Sequence, residues 1–125
     1  MGLRRPSEYK DKAADWYAYF DKMRRREIAD LITDDVIAEH KANPSGYRKF
    51  HSWRLQRVLN YMRQQPVIGK YFVYTCEPWR DYRIAVIDQR GKPPSVLDDQ
   101  IFESEEQAMH GVFMARVKAL RESIK

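Results

Sequence analysis

The sequence predicts an α+β domain with N-terminal helices, a small central antiparallel β-hairpin or short sheet, and a C-terminal capped helix. Three observations carry this. Apolar residues recur at three- and four-residue steps in the first 64 residues and again after residue 104, as amphipathic helices require. Aromatic and β-branched residues crowd residues 71–88, as strands require. Proline and glycine cluster at residues 43–46, 66–69 and 91–94 and divide the blocks.

Residues 7–31 read as the first helix. Ala13, Trp16, Phe20, Met23 and Leu31 form its apolar stripe, Lys12, Asp15, Lys22, Arg26 and Asp30 cover other faces, and Ser7 is its expected N-cap. Thr33, Asp34 and Asp35 interrupt it and cap a shorter helix through His40, which Asn43, Pro44 and Gly46 stop. From Ser52 to about Gln64 the residues Leu55, Val58, Leu59 and Met62 keep a narrow helical stripe, with Arg54, Arg57 and Tyr61 on another face. Residues 71–77 and 82–88 read as strands joined through Pro78, Trp79, Arg80 and Asp81, and a third short strand is expected at residues 101–103. Ser104 and Gln107 form a capping box, and Met109, Val112, Phe113, Val117 and Leu120 follow on one face.

The 125 residues suit one domain spanning 1–125. No apolar stretch is long enough to span a membrane, and the N-terminus has no signal-like apolar run, so the expected compartment is the cytoplasm. The single cysteine, Cys76, reads as a small buried hydrophobe within a strand.

Charge and aromaticity are distributed unevenly. Residues 47–82 hold seven basic side chains against two acids, a net +5, while the remainder balances at 16 against 16. Nine of the 16 aromatic residues lie in the same stretch. Arginine and large rings anchor protein interfaces, and the same mixture binds nucleic acid through phosphate contacts and stacking. Catalytic patterns are missing: there is no phosphate-binding glycine loop, no nucleophile elbow and no paired histidine or cysteine spacing. His40, His51 and His110 read as isolated histidines, with His51 alone inside the basic stretch. Asp34-Asp35 and Asp98-Asp99 read as cap and turn residues, and Arg24 to Arg26 as a solvated or ion-paired helix face. The candidate partner-contact residues are Tyr47, Arg48, His51, Trp53, Arg54, Arg57, Tyr61, Arg63, Tyr74, Trp79 and Arg80; no catalytic or metal-ligating residue is assigned.

Five segments resemble the small subunit of N,N-dimethylformamidase: YKDKAADWYA (9–18), NPSGYRK (43–49), LQRVLNYMRQQP (55–66), GKYF (69–72) and EEQAMHGVF (105–113). The resemblance runs through nearly the whole chain in order. It implies an accessory, non-catalytic chain of a two-subunit amidohydrolase that converts N,N-dimethylformamide and water to dimethylamine and formate. It also implies that a mononuclear iron sits on a large catalytic subunit, with no cofactor on this chain. The implied assembly is a hetero-oligomer with two copies of each chain or a multiple, involving neither nucleic acid nor membrane. The alternative from the residues alone is a small basic nucleic-acid-binding module.

Overall fold

In the computed structural model, which describes residues 6–47 and 49–124 and the side chains from Asp15 onward, four helices and a three-stranded sheet follow the expected α+β order. Helix α1 (Pro6–Leu31) is followed by α2 (Asp34–Ala42) and α3 (Trp53–Arg63). Strands β1 (Tyr71–Glu77), β2 (Asp81–Val86) and β3 (Ser95–Phe102) precede α4 (Glu105–Ser123). Thr33, Ser52 and Ser104 cap α2, α3 and α4, each hydroxyl accepting from an amide three residues on. Helix α1 begins at Pro6, ahead of the Ser7 expected to cap it. Among the described residues only the Ser104 half of the capping box forms.

One cluster holds the helices together: Ile28 and Ile32, Val36 of α2, Leu55, Val58, Tyr61 and Met62 of α3, and Phe113, Val117 and Leu120 of α4. Ion pairing joins Arg57 of α3 to Glu27 of α1, and Tyr61 donates its hydroxyl hydrogen to Asp21 at 3.4 Å. Those pairs run in opposite chain directions, so α3 lies antiparallel to the C-terminal half of α1. At 26 residues α1 is roughly 39 Å long, more than twice the length of the 11-residue α3. The N-terminal part of α1 therefore extends past the element that covers it.

The sheet has strand order β1-β2-β3, antiparallel throughout. Tyr82 and Ile84 share one face with Val73 and Thr75 of β1 and are buried beside α4, which contributes Ala108 and Val112. On the other face Phe72, Ala85 and Val96 lie side by side across the three strands, and Ala85 is fully covered by its neighbours.

The structure corrects three expectations. Strand β3 is longer than the short strand expected at residues 101–103, and it contains Asp98 and Asp99, which read as turn residues. Four residues of β3, from Asp98 to Ile101, stand opposite the single residue Arg83 of β2 where the register moves from Leu97↔Ile84 to Phe102↔Tyr82. This irregularity gives the acidic pair room at a sheet edge, and Asp98 is neutralised there by Arg83. Cys76 is exposed, because it is the unpaired residue where the β1–β2 register shifts between Thr75 and Glu77. Third, the middle of the expected apolar stripe of α1 does not face the core: Trp16, Phe20 and Met23 are exposed, whereas Leu31 packs against the core and the side chain of Ala13 lies outside the described residues. Ile28 and Ile32 enter the core in their place.

Gly111 is where α4 meets the sheet. A Cβ built there would sit 2.5 Å from Cζ of Phe102, well inside van der Waals contact. Gly111→Ala should therefore destabilise the chain by about 1 kcal/mol despite alanine's better helix propensity. A chemical denaturation curve checks this; an unchanged or raised midpoint contradicts the packing role.

Candidate partner interface

The basic aromatic stretch does not fold into one element. Its residues divide among a rigid loop, helix α3, and the tip of the β1–β2 hairpin.

The loop between α2 and α3 is pinned from inside. Asn43 donates from Nδ2 to the Lys49 carbonyl at 2.8 Å, and His51 donates from Nε2 to the Asn43 carbonyl at 2.7 Å. Glu39 accepts from both the amide and the hydroxyl of Ser52, each at 2.6 Å, so the capping residue of α3 is tied back to α2. Partial burial pushes the Glu39 carboxyl up, but the Ser52 bonds and nearby His51 and Lys49 leave it below the usual range. Gly46 takes a left-handed φ of 74° with the His51 ring against it. On this fixed frame Tyr47 is 91% exposed and Phe50 95% exposed. Arg48 lies outside the described residues.

At the start of α3, Trp53 is 64% exposed and carries the Arg54 guanidinium over its ring at 5.6 Å. Arg57 is engaged by Glu27, and Arg63 is exposed. Tyr61 is a core ring, because α1 covers the second half of α3. Burial and the Asp21 carboxylate both raise its phenol pKa.

The hairpin tip presents Trp79 at 85% exposure. Arg80 donates its amide to the Glu77 carbonyl at 3.2 Å, closing a turn with Pro78 and Trp79 in its central positions. Proline suits the first of these, and φ of 71° at Trp79 fits a type II turn, whose second position normally takes glycine. The Trp79 amide donates to the Tyr82 hydroxyl at 2.9 Å, which holds the conformation. A large ring is thus kept in a left-handed backbone and aimed at solvent. Arg80 sits beside it, 3.6 Å from Glu77, and Tyr74 is on the outer face of the sheet.

Sequence reasoning missed the largest exposed aromatic group. On α1, Trp16 stacks on Phe20 with centroids 5.6 Å apart and meets Tyr19 edge-on at 6.4 Å. Trp16 is 61% exposed, and Tyr17, Tyr19 and Met23 are exposed around it. Spacing alone cannot separate such a stripe from a core stripe. The available signal was the length of α1 compared with the short helices after it.

The histidines that read as isolated come together in the fold. His40 of α2 and His110 of α4 face each other through Nδ1 at 2.9 Å, and His51 stacks over His40 with centroids 6.4 Å apart. Phe113 stacks on His40 at 4.0 Å. One imidazole of the pair must accept and so must be neutral. Burial first, then the neighbouring His110 and His51, lower His40 to about 4, against a smaller opposing effect of Glu39. Burial and Lys41 lower His110 as well. The donors are spent on structure, and among the described residues no group of three or more His, Cys, Asp or Glu is placed to hold a metal ion. No helix there is long and apolar enough to cross a membrane.

Residues 15–125 match the family described as N,N-dimethylformamidase alpha subunit. The chain is also similar to the N,N-dimethylformamidase alpha subunits of Alcaligenes sp and Paracoccus aminophilus. Each is 50% identical over 121 residues, covering 95% of this chain and 91% and 85% of theirs.

Two measurements check this geometry. Because the folded pKa of His40 lies below the ordinary 6.5, its stabilisation is complete above pH 6.5 and is lost as pH falls from 6.5 toward about 4. The melting temperature should drop by roughly 5 °C or more across that window. The double substitution His40→Leu, His110→Leu should flatten the drop, and a wild-type curve that is flat to pH 4.5 contradicts the assignment. Trp79→Gly relieves the left-handed strain and should raise stability by about 1 kcal/mol in denaturant titration; a loss would show that the exposed ring stabilises the chain itself.

Proposed function

The chain belongs to the N,N-dimethylformamidase alpha subunit family, and from that membership we propose that it is the small, non-catalytic subunit of a two-subunit amide hydrolase. Its substrate would be N,N-dimethylformamide, hydrolysed to dimethylamine and formate. The word subunit in the relatives' names supports a permanent partner chain, here the large catalytic subunit. The iron implied by the resemblance belongs to that partner, where it would supply the Lewis acidity that polarises an amide carbonyl. Among the described residues no group of three or more His, Cys, Asp or Glu is placed to hold a metal ion, and the histidines are engaged in hydrogen bonds and stacking. No chemical step is assigned to them.

The observation that carries the reading is the exposed aromatic surface. Trp16, Tyr17, Tyr19, Phe20 and Met23 on α1 stand clear of the core, as do Tyr47, Phe50, Trp53 and Trp79. The α1 rings pack on one another, and a contiguous apolar patch of this kind is costly on a free monomer and typical of interfaces that stay closed. The role of this chain is then to cover apolar surface of the catalytic subunit and hold its geometry. The nucleic-acid alternative loses support from the fold: Arg57 and Arg80 are paired with acids, and Tyr61 is buried in the core.

Co-expression with the large subunit, followed by light scattering and dimethylformamide hydrolysis, tests the reading. Activity and a heavy complex are expected only when both chains are present. Trp16→Ala, Trp53→Ala and Trp79→Ala should each weaken assembly by about five- to hundredfold, the range of interface anchors. A monodisperse chain that ignores the other subunit overturns the reading.

A further inference from the structure

Beside the aromatic stripe of α1 lies a cleft of about 610 Å³, between α1, the end of α3, the α3–β1 connection and the last turns of α4. Its apolar lining includes Tyr61, Met62, Ile68 and Leu120. Its charge is unbalanced. Asp21 and Arg25 on the α1 wall neutralise each other, with Arg25 Nε donating to Asp21 at 2.8 Å. Lys70 and Arg116 also line the cleft, and among the described residues neither they nor the neighbouring Arg63 has a carboxylate within ion-pair distance.

These cations are held by backbone carbonyls instead. Arg116 donates Nε and Nη2 to the Tyr71 carbonyl at 2.9 and 2.6 Å, which leaves Nη1 free of protein partners among the described residues. Lys70 donates Nζ to the Arg63 carbonyl at 2.9 Å. Burial, then the repulsion of Arg63, pushes the Arg116 guanidinium below its usual value. Burial, then Arg116 and Arg63, does the same to Lys70. Packing positive groups together in a partly desolvated cleft is unfavourable, and a carboxylate entering it would remove that cost.

We propose that this cleft receives an acidic side chain of the large catalytic subunit, bound by Lys70 and Arg116 with Arg63 at the rim, next to the aromatic docking stripe. The inference rests on the reading of the chain as a subunit. Charge complementarity identifies the occupant: an uncompensated basic cleft with an apolar lining, adjoining exposed rings, suits a carboxylate carried on an apolar segment. The cations would steer the encounter and fix the register, while the rings supply buried area.

The test uses both chains co-expressed and measures the dissociation constant of the complex, with Lys70→Glu, Arg63→Glu and Lys92→Glu compared with wild type. Lys92 lies on an exposed turn and is no part of the cleft, so its variant controls for net charge. Both cleft variants should bind at least tenfold more weakly than wild type, with Lys92→Glu unaffected, and wild-type affinity should fall with added salt. Arg63 is exposed, so its variant keeps the test valid if Lys70→Glu misfolds. Cleft variants that assemble like wild type, or a control that weakens binding equally, overturn the proposal and leave the subunit reading intact. A wild-type chain that forms no complex fails the subunit reading itself. If millimolar sodium formate or phosphate raises the melting temperature of the free chain while the cleft variants assemble normally, the occupant is a free small anion and the proposal falls.

Discussion

Helix α4 is the element the fold depends on, because it is buried from two sides. Phe113, Val117 and Leu120 close the cluster formed with α1, α2 and α3, while Ala108 and Val112 lie under the sheet. A three-stranded sheet with one covered face is marginal alone, and so are three short-contact helices. Each layer is completed by the same helix. The polar links follow the same route: Arg116 binds the first carbonyl of β1, His110 meets His40 of α2, and Arg121 donates to the Ile32 carbonyl at 3.3 Å.

A core built around one central helix is small, and that limits what it can cover. Among the described residues of α1, the side chains tied to other elements lie from Asp21 onward, at Asp21, Glu27 and Ile28, while Trp16, Tyr17, Tyr19 and Phe20 before them are exposed. The loop after α2 is held from inside by Asn43, His51 and Glu39, and its rings point outward. Trp79 is held outward by a backbone conformation that a bulky side chain adopts only at a cost. The loop and the Trp79 turn are thus fixed by hydrogen bonds within the chain, and groups ordered in advance lose less entropy on binding.

The sequence determined the order and type of the elements and most of their ends. Thr33, Ser52 and Ser104 act locally on amides three residues away, so a cap is readable without knowing the fold. The strands β1 and β2, the chain-wide resemblance to a family and the concentration of rings in residues 47–82 were legible for the same reason: each is a property of neighbours along the chain. Only the tertiary structure decided which side chains are covered. It buried Tyr61, which shares a helix face with Arg54 and Arg57, and exposed Trp16 and Phe20 of an apolar stripe, because burial depends on what lies opposite. It brought together His40, His51 and His110, and it set Lys70 beside Arg116, 46 positions later in the chain. Cys76 and Asp98 were misread for a related reason, since a bulge is defined by the partner strand's register. Local chemistry fixes conformation within a few residues, whereas exposure, and with it any interface, is fixed by distant packing that no short pattern encodes.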